Sequence, residues 1–410
     1  MPALRFKDKN GQAFEAPDEL TIQDLFDKVK TTNKDGANKN VITNSAEYGL
    51  IPQREFFDKD IAVEGNTSKY TIIKDGDFVY NPRKSSTAPY GPFNCYTRKE
   101  PGIVSPLYSC LTPKNRAYTP YLLYYFASPA WYSYIYHNGN QGGARHDRVG
   151  MTNDLLQGIP VLLPCQEEQD KITVFLSLYD KRIAAQASKV EALETRRKGL
   201  LQQIFSQEIR FKADDGSKYP DWDTEELNTY LYENKERNKE NTFGKKDVLS
   251  VSKDYGVINQ IKYQGRSLAG DDVSNYHIVH KGNVVYTKSP LGKQPYGIIK
   301  ASETEGIVST LYAVYYCRDN VIPKLLDYYF SLDETLNRYL KPLVNIGAKH
   351  DMKVNNSDAL AGLVTLPSSL SEQQKIVNFF DLIGKQIQIE KDKLEAIKQV
   401  KKGLLQQMFV

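Results

Sequence analysis

Two basic segments hold the residues best suited to act on another molecule. Gly143-Ala144-Arg145-His146-Asp147-Arg148 and Gly347-Ala348-Lys349-His350-Asp351-Met352-Lys353 stand 204 positions apart. Each sets cationic donors beside an imidazole at a glycine-marked turn. Arg and Lys neutralise phosphates or bond the edge of guanine, and histidine can contact either. Arg145, His146, Arg148, Lys349, His350 and Lys353 are therefore the candidate nucleic-acid contacts, joined by Tyr90 and Tyr296 from the repeated Pro-Tyr-Gly turns. The alternative is a structural loop whose Asp caps a helix and whose His is buried and satisfied.

Catalytic readings find less support. Nucleophilic catalysis with these histidines needs a Ser or Cys at a matching place in both copies, and none is there. Pro220-Asp221 with Glu233-Asn234-Lys235 fits a loose metal-nuclease pattern, but the first copy offers Pro17-Asp18 and then Asp27-Lys28-Val29, which breaks it. The stretch Thr224–Arg237 also reads as an amphipathic helix with Leu227, Tyr230 and Leu231 inside. There is no Walker-type lysine loop, no Gly-x-Gly-x-x-Gly after a strand, and no Asn/Asp-Pro-Pro-aromatic run of the kind an amino-methyltransferase needs. Asn81-Pro82-Arg83 does not supply one. The four cysteines form no Cys-x-x-Cys pair, which argues against a zinc knuckle or disulfide frame. The chain reads as a binder without its own catalyst, metal or cofactor.

The elements that position these segments come in duplicate. Lys198-Gly199-Leu200-Leu201-Gln202-Gln203 returns as Lys402-Gly403-Leu404-Leu405-Gln406-Gln407, and Gly102-Ile103-Val104-Ser105 as Gly306-Ile307-Val308-Ser309. A period near 204 is too long for a solenoid and marks a duplicated domain. Ile209-Arg210-Phe211-Lys212, just after the first Lys-Gly-Leu-Leu-Gln-Gln run, is echoed by Leu4-Arg5-Phe6-Lys7. The pattern is that of a closed cycle of two units, opened between Val410 and Met1.

Two proline-free stretches end in those runs. Their apolar residues advance by alternating steps of four and three: Ile172, Leu176, Tyr179, Ile183, Val190, Leu193, Leu200, Ile204, and Ile376, Phe380, Ile383, Ile387, Leu394, Ile397, Leu404, Met408. Gln186 and Arg197, and Glu390 and Lys401, fill the polar seam positions. A mean spacing of 3.5 predicts a coiled coil of two helices, each roughly 55 Å long at about 1.5 Å per residue. Antiparallel pairing would return the chain to its start and hold the two globular domains apart. The expected division is residues 1–165 and 207–367 as globular domains, with 166–206 and 368–410 as spacer helices.

The globular parts read as mixed α/β, of α+β class. Short β runs at 70–73, 78–80, 278–279 and 284–286 are broken by Lys74-Asp75-Gly76-Asp77 and Lys281-Gly282-Asn283, and helices are expected at 121–126 and 324–330. Between these shared elements the copies diverge, as when loops carry binding on a fixed frame. Net charge of +4 identifies no partner. The 28 tyrosines suit a recognition surface or a tyrosine-rich core. No apolar run reaches the length of a membrane span, and Met1–Arg5 leads into no signal-like stretch, so a cytoplasmic location is expected.

Leu163-Pro164, Glu168-Gln169-Asp170-Lys171-Ile172 and Lys198–Phe205, repeated as Leu366-Pro367, Glu372-Gln373-Gln374-Lys375-Ile376 and Lys402–Phe409, closely resemble the specificity subunit of type I restriction–modification systems. The resemblance covers essentially the whole chain. It implies two target-recognition domains related by pseudo-twofold symmetry, which read the two parts of a split, asymmetric site in double-stranded DNA. It also implies an antiparallel coiled coil that sets the half-site spacing and docks two methyltransferase (modification) subunits. Restriction (translocase–nuclease) subunits join the full complex. Adenine methylation with S-adenosylmethionine belongs to the partner, and no catalytic residue carries over. Phe175, Leu178, Leu200, Phe205, Phe379, Leu382, Leu404 and Phe409 are the helix residues expected to meet partner helices or, alternatively, the chain's own domains. A rival from another class is a protein-interaction scaffold with twin binding domains.

Overall fold

A computed structural model describes residues 2–56, 67–139, 147–290, 294–346 and 352–410. The chain divides into two compact units, residues 1–187 with 392–410, and residues 188–391. The first is unit 1 and the second unit 2.

Unit 1 is built on a four-stranded antiparallel sheet in the order Phe26–Lys28, Ser109–Pro113, Phe78–Tyr80, Phe93–Cys95. The helix Thr119–Ala127 lies on the strand Phe93–Cys95 and starts at a proline in its first turn. That proline costs no hydrogen bond there. Phe26, Phe78, Phe93 and Phe126 form the aromatic centre of the core, with edge-to-face contacts at 5.4 to 6.2 Å among them. Trp131 is 1% exposed and donates its indole N–H to the Phe126 carbonyl at 3.2 Å. The strand Asp18–Thr21 pairs with Pro160–Leu163 and brings the chain to the long helix Gln166–Phe205.

Unit 2 repeats this plan. Its sheet runs Leu231–Glu233, Tyr312–Cys317, Val284–Thr287, Ile298–Ala301, again antiparallel throughout. The helix Pro323–Tyr329 covers it, and Asp223–Glu226 pairs with Leu363–Leu366 ahead of the second long helix, Leu370–Phe409. The two covering helices fall where the sequence places them, within a residue or two. The stretch 224–237 does not. It is two strands joined by a 3-10 turn at Leu227–Thr229. The exposed Thr224 and Glu225 pair with Thr365 and Val364, and Leu231 enters the central sheet opposite Cys317. Buried Leu227, Tyr230 and Leu231 fit either periodicity, so tertiary pairing decided the outcome.

The two 40-residue helices run antiparallel within each unit. In unit 1, Ile172 and Leu176 near the start of one share a core with Leu405, Met408 and Phe409 near the end of the other. In unit 2, Leu201 and Ile204 share a core with Ile376, Val377 and Phe380. Along the seam Lys189 pairs with the buried Glu390 at 3.1 Å, and Lys391 with Glu194 at 2.6 Å. The buried stripe is wider than the heptad predicts. Leu201, Val377, Leu405 and Phe409 are added because each helix packs on a globular domain as well as on its mate.

A repeated joint accounts for the recurrent sequence strings. Glu168, 0% exposed in the first helical turn, accepts two bonds from Arg5, and Lys171 reaches the Lys7 carbonyl at 2.7 Å. Gln169 turns back to the Pro164 carbonyl at 2.7 Å, and Ile172 enters the core. In unit 2 Glu372 holds Arg210, Lys375 reaches the Lys212 carbonyl at 2.7 Å, and Gln373 returns to Pro367 at 2.9 Å. Phe6 meets Phe175 edge-on at 5.6 Å, as Phe211 meets Phe379 at 5.5 Å. The Leu4 N–H donates to the Gln407 carbonyl at 2.9 Å, and the Ile209 N–H donates to Gln203 at 3.1 Å. So the segment 4–7 docks on the end of the second helix just as 209–212 follows the end of the first.

Candidate nucleic-acid interface

Of the candidate contacts, Arg145, His146, Lys349 and His350 lie outside the described residues. Lys353 is within them and pairs through its backbone with Asn345 in a two-residue strand pair. Arg148 sits where residues 147–149 run antiparallel to 82–84: the Lys84 N–H donates to the Asp147 carbonyl at 2.9 Å, and the Val149 N–H to Pro82 at 2.8 Å. Arg83, which sequence reasoning weighed only as a failed methyltransferase motif, is brought beside Arg148 by this pairing. Both guanidiniums stand near the Asp147 carboxylate, at 3.8 and 4.0 Å. Arg83 and Asp147 are 70% and 51% exposed, so the attraction between them is worth about 0–1 kcal/mol and leaves the cations on offer to another anion.

The corresponding place in unit 2 is built differently. Lys288 donates to the Asn356 amide oxygen at 3.0 Å, and Asn356 donates to Glu233 at 2.7 Å. Burial lowers the Lys288 pKa, with Glu233 opposing the shift. Glu233, one member of the nuclease-like pattern, is thus a structural acceptor, while the fully exposed Asp221 lies 3.5 Å from Arg210. No group of three or more metal-ligating side chains occurs among the described residues. The thiols offer no nucleophile inside the fold: burial pushes Cys95, Cys110 and Cys317 up to about 12.

Tyr90 and Tyr296 are half-buried, and their backbone carbonyls accept from the Tyr80 and Tyr286 hydroxyls at 2.7 and 2.8 Å. The glycines after them adopt left-handed φ values of 85° and 93°. A Cβ at Gly91 or Gly297 would lie 2.1 or 1.9 Å from the carbonyl oxygen of Asn81 or Thr287. The recurrent Pro-Tyr-Gly is therefore a joint of the fold, with both rings partly exposed.

The helix residues separate into two groups. Phe409 is 2% exposed, with its ring 5.5 Å from Tyr121 and 5.8 Å from Tyr125. Phe205 packs on Trp222 and Tyr329, while Phe175, Leu200, Phe379 and Leu404 lie half-buried on the cores of their own units. These faces are taken by the chain itself. Leu178 and Leu382 stay 56% and 69% exposed, with Val174 and Ile389 also outward.

Sequence reasoning missed two further polar assemblies. In unit 2 the Tyr316 ring stacks between Tyr232 and His280, with centroids at 5.4 and 6.1 Å, and Arg318 lies over Tyr232. Glu236 accepts from the Tyr316 hydroxyl and lies 2.9 Å from His280, bonds that hold its carboxyl below the usual carboxylate range. The equivalent strand pair in unit 1 is Asp27 opposite Thr112, so the column belongs to one copy only. At the helix–domain junction, Tyr124 donates to Asp180 and lies under Lys401, while Tyr328 donates to Asp381 and lies under Arg197. Tyr328 follows Tyr124 by 204 positions but Asp381 follows Asp180 by only 201. The carboxylate has moved one helical turn, which hid the match.

No protein-family model matches the chain. It is 22% identical over 263 residues to the Methanocaldococcus jannaschii type I restriction enzyme MjaVIII specificity subunit, a match that takes in 61% of this chain and 61% of that relative's length. Among solved structures, it is similar to a chain from work on complex assembly and conformational transition of the type I R-M system. There the TM-score is 0.55 at 14% identity, over 97% of this chain and 99% of that one. The type I S subunit from M. genitalium gives a TM-score of 0.47 at 14% identity, over 100% and 99%. The chain thus shares its fold with a type I restriction–modification component, and its sequence is similar to that of a specificity subunit.

Proposed function

We propose that this chain is the non-catalytic DNA-recognition subunit of a type I restriction–modification complex. Each unit reads one part of a bipartite, asymmetric site in double-stranded DNA. One observation carries this reading: the joint at Arg5–Glu168 is duplicated atom for atom at Arg210–Glu372, whereas the surfaces mounted on it differ. Equal frames with unequal surfaces suit two unequal half-sites, because frames position and surface side chains specify. Arg148 with Arg83, and Tyr90, would serve unit 1. Lys353 and Tyr296 would serve unit 2, with Arg145, His146, Lys349 and His350 in the adjoining segments.

The long helices would carry two methyltransferase subunits, matching the duplication, through Leu178 and Leu382, and their length would fix the spacer between half-sites. S-adenosylmethionine would be bound by the partner, and restriction subunits would complete the assembly. No helix among the described residues is long and apolar enough to cross a membrane, consistent with work on cytoplasmic DNA. The test is to co-express the chain with its methyltransferase subunits, exchange the surface loops of one unit, and sequence the methylated positions. One half of the motif should change. A change in both halves, or no DNA modification or retention by the unaltered complex, overturns the reading and favours a protein scaffold.

A further inference from the structure

Unit 2 carries a cleft of about 610 Å³ between the hairpin Leu249–Ser252/Gly256–Asn259, the short helix Gln260–Gln264 and the turn before strand Tyr312–Cys317. Its lining is mostly uncharged and polar, with Lys253 and Asp254 the charged exceptions. Ser250 accepts from Gln260 at 3.2 Å and Ser252 accepts from the Tyr255 N–H at 3.4 Å. Thr287, only 3% exposed, lines the cleft. A hydroxyl that borders a cavity can bond something placed there.

The same positions in unit 1 are bonded to one another and to the sheet. Asn44, Asn81 and Asn94 stand where unit 2 has Val251, Thr287 and Lys300. Asn44 donates to the Val79 carbonyl at 2.7 Å, Asn81 donates to the Asn44 carbonyl at 3.1 Å, and Asn94 donates to the Asn44 amide oxygen at 2.7 Å. That network stitches the hairpin to the sheet and uses up its own donors. Unit 2 has lost the stitch: Val251 is apolar, and Lys300 turns away to Asp327 at 3.1 Å.

The rim adds a second observation. Leu268 and Leu311 are 60% and 64% exposed at the mouth, beside the exposed amide of Gln264. Lys262 and Arg266, on and just after the short helix, are exposed and have no carboxylate partner among the described residues. Apolar lips beside an amide match the major-groove edge of an A·T pair. There an amide bonds adenine N6 and N7, and an aliphatic side chain covers the thymine methyl. These cations, beside the cleft rather than lining it, match the flanking phosphates.

We infer that this cleft is the base-reading surface of unit 2 and that it selects an A·T pair, with Gln264 on the adenine, Leu268 and Leu311 on the thymine methyl, and Lys262 and Arg266 on the backbone. The inference rests on the DNA-recognition reading and assigns base reading, in unit 2, to residues outside the Gly-Ala-Lys-His segment, whose cations would then serve the phosphate backbone.

The experiment uses the full chain with its methyltransferase subunits and a random duplex library, from which bound sequences are recovered. Gln264→Ala and Leu311→Ala alter exposed side chains, and their melting curves should overlay that of the parent. Each should relax the preference for A·T at one position in one half of the motif by about tenfold and leave the other half unchanged. Lys262→Ala should weaken binding to every sequence and reduce the salt slope by about one. An unaltered motif in both Gln264→Ala and Leu311→Ala, a change at a G·C position, or a change in both halves overturns this inference while recognition itself stands. Failure of the parent complex to enrich any sequence overturns recognition, and this inference with it.

Discussion

Arg5 closes a two-pronged ion pair on Glu168, at 3.0 and 2.5 Å, and sends a further N–H to the Glu15 carbonyl at 2.6 Å. Arg210 does the same to Glu372, at 3.2 and 2.9 Å, and to the Pro220 carbonyl at 2.6 Å. Both carboxylates are buried, at 0% and 1% exposure. Removing the arginine strands a buried charge, which costs far more than the pair itself contributes. Arg210→Ala should therefore lower stability by about 3 kcal/mol, read as a shift of the urea midpoint. Arg210→Met combined with Glu372→Leu should regain most of that loss. A double variant as unstable as the single one would show that the pair positions the segment rather than merely satisfying the carboxylate.

His277 is 2% exposed and its Nδ1 has no partner among the described residues. Burial first, then Arg237 and Lys288, depress its pKa to about 4. An unfolded histidine titrates near 6.5. A depressed histidine is neutral in the fold, so its stability is complete above about pH 6.5 and is lost as pH falls toward 4. Chemical denaturation across that window should show His277→Phe losing roughly 2–3 kcal/mol less than the parent. Parallel pH profiles for the two proteins would refute the assignment.

Arg83 and Arg148 share one exposed carboxylate and would meet phosphate together. Arg83→Ala and Arg148→Ala should each lower affinity for all duplexes and reduce the log–log salt slope by about 0.9 in the assembled complex. An unchanged slope would make the 82–84/147–149 pairing purely structural.

Leu178 and Leu382 stay exposed on helices that bury Ile172, Leu176, Ile376, Val377 and Phe380 at their domain ends. Leu178→Asp and Leu382→Asp should leave the chain's own melting temperature within about 2 °C, because no core contact is lost. They should sharply reduce co-purification of the methyltransferase subunits. Full retention in both variants would place the docking face elsewhere.

How much of this was legible in the sequence depends on where the determining contact lies. The Leu-Arg-Phe-Lys echo marked the joint because its partner, Glu-Gln-x-Lys-Ile, recurs at nearly the same offset and the Arg, Phe, Glu, Gln, Lys171 and Ile side chains each have a bond or a packing contact there. The long helices were legible from period alone. The stretch 224–237 was not, since its strands exist only through pairing with residues 363–366 and 315–317, far away in sequence. Arg83 was missed for the same reason: nothing local says that residues 82–84 meet 147–149. The Asp180 and Asp381 contacts were hidden by a shift of one helical turn, which keeps the bond to the tyrosine hydroxyl and breaks the alignment.

Residues 188–391 form unit 2 without interruption, whereas unit 1 draws its last core side chains, Met408 and Phe409, from the far end of the second helix. During synthesis the half that emerges later from the ribosome can therefore finish first. The earlier half must wait, with Tyr121 and Tyr125 uncovered, until the closing turns arrive.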